Sequence, residues 1–105
     1  MNNRVTDSLT PTEGARFLLD REQDHGTRAR YRAAIYTPDA TYDGYATLCD
    51  DGSVEIEAAG APEELFSTLQ MLAKLTARSA AKKREDGLPP WPARVLRWRG
   101  PGRGG

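Results

Sequence analysis

The sequence predicts an α+β domain: a three-stranded antiparallel meander plus a fourth strand in a mixed sheet, one long helix packed on one face, and a short N-terminal helix, in the order α-β-β-β-α-β. Three observations carry this. Residues 30–49 alternate in character with period two around a Pro-Asp turn. A second turn, Asp50-Asp51-Gly52, precedes another alternating run. Residues 62–86 carry an apolar stripe at helical spacing between a Pro-Glu-Glu opening and a glycine stop.

Thr10-Pro11-Thr12-Glu13 has the form of a capping box with proline at the first helical position: the Thr10 hydroxyl accepts from the Glu13 amide while the Glu13 carboxylate reaches back. A helix is expected to begin there, with Leu9, Phe17, Leu18 and Leu19 as its apolar residues and Asp24-His25-Gly26 as its stop. Gly14 weakens that helix, and Ala15 to Arg21 also fits a strand. Arg30 to Thr37 and Tyr42 to Cys49 form a hairpin across Pro38-Asp39-Ala40-Thr41. Pairing Thr37 with Tyr42 sets Ile35, Ala33 and Tyr31 opposite Gly44, Ala46 and Leu48 on one apolar face. The three-residue loop Asp50-Asp51-Gly52, with Gly52 in the left-handed position, sets Leu48 opposite Val54 and Ala46 opposite Ile56. The two turns agree on which face is apolar.

Pro62, Glu63 and Glu64 open the long helix at the positive end of its dipole, Lys82, Lys83 and Arg84 sit near the negative end, and Gly87 stops it. Leu65, Leu69, Leu72, Thr76 and Ala80, flanked by Phe66, Ala73 and Ala77, make the stripe that packs on the sheet. A helix from Pro62 to Asp86 would be about 37 Å long against about 27 Å for an eight-residue strand, so its basic last turns are expected to overhang. Leu88-Pro89-Pro90-Trp91-Pro92 is stiff and extended and returns the chain to the sheet. Ala93 to Arg99 then reads as a strand with Leu96 and Trp98 on one face and Val95 and Arg97 on the other. The intervening helix makes it parallel to the third strand of the meander.

With 105 residues the chain is long enough for one domain, assigned to residues 9–99, with residues 1–8 and the Arg/Gly tail 100–105 expected to be disordered. Leu, Ile, Val and Phe make up only 17 residues, so Ala, Tyr and Trp must supply much of the core, and association with a second copy would help complete it. Cys49 is the only cysteine, which excludes an internal disulfide and multi-cysteine metal sites and favours a reducing, cytoplasmic home. No apolar run approaches the ~18 to 20 residues of a membrane span, and no apolar stretch follows the first charged residues as in a secretory leader. The abundance of Arg, Ala, Gly and Pro suggests a bacterial, GC-rich source.

The net charge of zero hides an asymmetry: residues 1–69 carry 13 acids and 6 bases, residues 70–105 carry 9 bases and 2 acids. Arg78, Lys82, Lys83, Arg84, Arg94, Arg97, Arg99 and Arg103, with Trp91 and Trp98 among them, are the one constellation with a coherent functional reading: contacts to phosphates or to an acidic partner. They equally fit a helix C-terminus and a core, with Trp98 filling that core and Trp91 pinning the proline-rich return against the helix. His25 and Cys49 are the only nucleophile-and-base pair the composition permits, and no strained nucleophile turn surrounds the thiol. Asp39, Asp43, Asp50 and Asp51 form turns and lack the ligand spacing of a calcium loop. The open sheet face is expected to collect Arg30, Arg32, Tyr36, Asp43, Tyr45, Cys49, Glu55 and Glu57, whose carboxylates oppose a base-stacking platform.

The order helix, three-stranded meander, helix over about residues 10 to 86 is similar to that of double-stranded RNA-binding domains. That family opens its second helix with a lysine-rich, phosphate-binding stretch, whereas Pro62, Glu63 and Glu64 stand here, so the resemblance implies a topology and transfers no site residue. The expectation is a small non-catalytic binding or accessory protein without cofactor or metal, self-associating or bound to another protein. Weak nucleic-acid binding through the basic C-terminal third is the alternative, and no membrane partner is expected.

Overall fold

A computed structural model of the chain describes residues 9–100. Residues 1–8 and 101–105, including Arg103, lie outside the described residues. Five strands, β1 (Ala15–Asp24), β2 (Arg28–Tyr36), β3 (Thr41–Cys49), β4 (Val54–Ala58) and β5 (Arg94–Arg99), form one sheet, and one helix, α1 (Glu63–Glu85), packs on it. The strand order is β4-β3-β2-β1-β5, with every neighbouring pair antiparallel. The α+β class therefore holds, and no helix among the described residues is long and apolar enough to cross a membrane.

The expected N-terminal helix is replaced by β1, and with it the likeness to RNA-binding domains lapses. Phe17, Leu18 and Leu19 are consecutive and all buried, so apolar side chains project to both sides of the chain. A surface helix would bury one stripe, whereas in the strand Phe17 and Leu19 face α1 and Leu18, on the other side, lies in a row between Leu96 and Ala34. Gly14 also departs from a helical path at φ 74°, and a Cβ there would stand 2.2 Å from the Arg99 carbonyl oxygen. Asp24-His25-Gly26 does end the element, with the Asp24 carboxylate accepting from the Gly26 amide. Near that end Glu22 is an extra residue in the ladder, a bulge between Arg21 and Gln23.

The first hairpin of the meander is two residues out of the expected register: Ile35 lies opposite Tyr42, Ala33 opposite Gly44 and Tyr31 opposite Ala46. An even slip keeps every side chain on its face. Its cause is a four-residue loop closed by Thr37, whose amide and hydroxyl both donate to the Ala40 carbonyl while its hydroxyl oxygen accepts from the Ala40 amide. The second hairpin has the expected register, Leu48 opposite Val54 and Ala46 opposite Ile56, with Gly52 at φ 95°.

Pro62 is the N-cap of α1. At the other end the Leu88 amide donates to the Lys83 carbonyl and the Gly87 amide to that of Arg84, a Schellman pair that needs the left-handed Gly87 at φ 77°. Leu69, Leu72, Ala73, Ala77 and Ala80 are buried against Phe17, Leu19, Tyr31, Ile35 and Leu48. The alanines let the helix approach the sheet closely. Its last turn does not overhang freely: Arg84 donates to the Asp50 carboxylate and to the Gly26 carbonyl, binding the helix end to two turns of the sheet.

Because β5 pairs with β1 at the far edge, the sheet is wholly antiparallel and not mixed. The inferred parallel direction of β5 and β4 is correct, but the two strands occupy opposite edges. The stiff segment before β5 is anchored by Arg21, which donates from its side chain to the Trp91 carbonyl and from its amide to that of Ala93, and by the Tyr31 hydroxyl on the Pro92 carbonyl at 2.8 Å. Burial is the main cause that pushes the Tyr31 phenol up to about 12, from 10.0. The folded state thus keeps a proton that the unfolded chain releases near pH 10. The Tyr31 contribution to stability should be constant below that pH and fall by about 1.4 kcal/mol per pH unit as it rises toward 12. Urea unfolding across that range measures this slope, and Tyr31→Phe should flatten it.

Candidate interaction surfaces

The basic constellation does not converge. Arg84 is committed to Asp50 and Gly26, Lys82 pairs with Asp86 at 3.3 Å, and Arg78 lies over Gly52. Lys83 turns to the other flank of α1, where it lines with Leu75, Thr76, Arg94, Val95 and Arg97 a cleft of about 240 Å³ between the helix and β5. Arg94 is held by Asp20 at 3.5 Å, Arg97 donates to the Leu96 carbonyl, and Arg99 stands exposed near the end of β5. The helix C-terminus and the β1–β2 turn account for part of the charge excess in the C-terminal third.

Of the two tryptophans, Trp91 holds the proline-rich return as expected, whereas Trp98 does not take the place expected of it. Trp91 is buried, with its indole N–H on the Gly26 carbonyl at 2.8 Å, beside the Arg84 bond to the same oxygen. Trp98 does not fill the core: it is 49% exposed on the helix-free face, with its N–H on the Glu13 carbonyl. Val95, on the opposite side of β5, is the core residue.

His25 and Cys49 line one shallow depression of about 410 Å³, together with Thr27, Arg28, Asp50 and Asp51. The imidazole lies within hydrogen-bond reach of Gln23, 3.2 Å from its side-chain oxygen. Asp51 accepts from the Ser53 amide and hydroxyl, bonds that lower its carboxyl pKa and make it a turn residue. No group of three or more His, Cys, Asp or Glu side chains among the described residues is placed to hold a metal. Cys49 is half-buried and free, so the native protein should react with a small thiol reagent without denaturant. Modification that requires unfolding would contradict this orientation.

The helix-free face carries a feature that β1 and β5 create and that a helix over residues 10–24 would not form. Trp98, Arg16 and Tyr36 stand directly opposite one another across β5, β1 and β2, and in the next row stand Leu96, Leu18 and Ala34. Leu18 and Ala34 are buried although they point away from α1. Around this apolar centre the arginines carry carboxylates: Arg94 with Asp20 at 3.5 Å, Arg32 with Asp43 at 3.3 Å, Arg30 with Glu22 at 3.7 Å. Arg30 also sits 4.5 Å above the Tyr45 ring, beside a depression of about 450 Å³ that Thr47, Glu55 and Glu57 complete. The face thus has an aromatic and aliphatic centre within a charged rim in which three arginines are paired with carboxylates. The available sequence signal was the uninterrupted run Phe17-Leu18-Leu19, which demands burial on two faces.

Among the described residues this geometry defines a single-helix, five-stranded antiparallel α+β domain whose helix-free sheet face has an aromatic and aliphatic centre. No family model, curated protein or solved structure matches the chain.

Proposed function

We propose that this protein is a small, non-catalytic binding module whose contact surface is the helix-free face of the sheet, centred on Trp98. The observation that carries this reading is the half-exposed Trp98 in one row with Arg16 and Tyr36, over Leu96, Leu18 and Ala34. Trp, Tyr and Arg are the residue types that dominate binding energy at protein interfaces, and a large aromatic left in water lowers its free energy by being covered. The partner is a protein, a second copy included. The rival reading, nucleic acid on the basic C-terminal third, is disfavoured because Lys82, Arg84 and Arg94 already have carboxylate partners.

The test compares immobilised wild type with Trp98→Ser and Tyr36→Ser. Both variants should keep the circular dichroism and melting profile of the wild type while losing at least about tenfold in affinity for the retained protein, as expected for truncation of central interface residues. Equal retention by all three forms would refute the sheet-face reading. Binding instead to single- or double-stranded nucleic acid at low salt, weakening steeply as salt rises, would favour the rival.

A further inference from the structure

Both edges of the sheet are open among the described residues, and their charges are opposite. β4, Val54-Glu55-Ile56-Glu57-Ala58, borders one edge, and β5, Arg94-Val95-Leu96-Arg97-Trp98-Arg99, borders the other. Three ion pairs cross between neighbouring strands, Asp20 of β1 with Arg94 of β5, Asp43 with Arg32 and Glu22 with Arg30. Four other charges on the edge strands are left out of them. Among the described residues, Glu55 and Glu57 on β4 and Arg97 and Arg99 on β5 have no ion-pair partner.

The hydrogen-bonding phase of each edge follows from its anchors. The Ala93 carbonyl accepts from the Arg21 amide, so by alternation Val95, Arg97 and Arg99 bond inward to β1, whereas Leu96 and Trp98 aim their N–H and C=O groups at the open side. On the other edge the Ser53 carbonyl accepts from the Cys49 amide, so Glu55 and Glu57 bond inward and Val54, Ile56 and Ala58 face outward. Two β5 strands side by side would juxtapose arginines, and two β4 strands would juxtapose glutamates. Each edge therefore repels its own kind, as guarded edges do, and each is suited to the other.

We infer that the β5 edge is a docking site for the β4 edge of a second copy of this chain, by antiparallel strand addition. One register satisfies charge, side-chain character and hydrogen-bond phase together: Glu57 opposite Arg97, Glu55 opposite Arg99, Ile56 opposite Trp98 and Ala58 opposite Leu96. The outward residues then meet outward residues as hydrogen-bonded pairs. The neighbouring copy is turned over, so its helix lies on the opposite side of the joined sheet, and its glutamates stand on the side where β5 presents Val95, Arg97 and Arg99. The Leu96 carbonyl, now held by the Arg97 guanidinium, is released to the incoming strand as Arg97 turns to Glu57. The contact is heterologous and leaves a free edge at each end, so association does not stop at a dimer. This goes beyond the sheet-face reading and does not rest on it, because the four charged residues lie outside the Trp98 row.

Sedimentation velocity over a wide concentration range tests it with three proteins: wild type, Arg97→Glu/Arg99→Glu, and Glu55→Arg/Glu57→Arg. All four positions are exposed, and circular dichroism verifies the folding of each variant. The weight-average mass of the wild type should climb with concentration past that of a dimer. Each charge-reversed protein alone should require at least about tenfold more protein to associate, and an equimolar mixture of the two should associate again, since acidic edges then meet basic ones. Wild type that stays monomeric up to millimolar concentration, variants that associate as wild type does, or a mixture that stays monomeric would each overturn the proposal. Association abolished by Trp98→Ser yet indifferent to both charge reversals would also overturn it, leaving the sheet face as the contact.

Discussion

Trp91→Ala is expected to destabilise the protein by about 3–5 kcal/mol, the range for removing a fully buried large aromatic. Trp91 is 1% exposed, the largest fully buried side chain, and it lies where three separate pieces of chain meet: the end of α1, the β1–β2 turn and the segment leading to β5. Its loss leaves a cavity under the helix and removes one of two donors from the Gly26 carbonyl, the other being Arg84. Because domains of this size are stable by only about 5–15 kcal/mol, this loss is a large share of the total and should lower the urea midpoint markedly. Urea unfolding followed by circular dichroism gives the difference directly. Trp91→Phe should recover part of it by refilling the space, without restoring the indole bond. A cost below about 1 kcal/mol for Trp91→Ala would mean that the proline-rich return is not docked as described. Trp98→Ser, by contrast, should cost little, and the pair of variants separates the tryptophan that holds the fold from the one offered to a partner.

Gly44→Ala should destabilise by about 3 kcal/mol or more, unusual for the addition of one methyl group. A Cβ at Gly44 would stand 1.7 Å from the Glu57 carbonyl oxygen and 2.9 Å from the Ala58 Cα. Both neighbours are backbone, so no side chain can swing aside, and β4 must move away from β3 as a strand. Gly44 faces Ala58, the last residue of β4, whose carbonyl accepts from the Ala61 amide before α1 begins. The expected signature is loss of amide protection in β4 ahead of β2 and β3, together with a lower urea midpoint. Gly60→Ala serves as the control: its φ of 78° carries a conformational cost, but nothing lies within 4 Å of its Cβ position. If both variants lose the same small amount, the close approach at Gly44 is wrong.

Several features were legible in the residues because their causes are local. Gly52 after Asp50-Asp51, the Pro-Glu-Glu opening and the Gly87 stop each fix backbone geometry within a few positions, and each stands where the sequence placed it within one residue. Period-two alternation assigned the faces of β2, β3 and β4 correctly even where Thr37 altered the loop and shifted the first hairpin by two residues. The helical stripe likewise names the buried residues of α1. These are energies a short segment can express alone, so a sequence pattern reports them.

The candidate surfaces were not legible to the same degree. A capping box before residues 15–24 favours a helix, yet Phe17-Leu18-Leu19 gains more by burial on two faces between β2 and β5, a choice that exists only once those strands are present. The same event settles β5: with β1 in the sheet its outer edge becomes available, β5 pairs there antiparallel in place of the mixed sheet expected, and Trp98 turns to the helix-free face while Trp91 takes the core. The basic residues of the C-terminal third are neighbours in sequence and part in space, because Lys83 and Arg84 flank opposite sides of the buried stripe of α1. The sequence by itself thus determined the turns, the caps and the apolar face of each alternating segment. Tertiary structure alone decided which strands are neighbours, which tryptophan is buried and which charges are left at the edges, because those depend on burial shared among segments far apart in the chain.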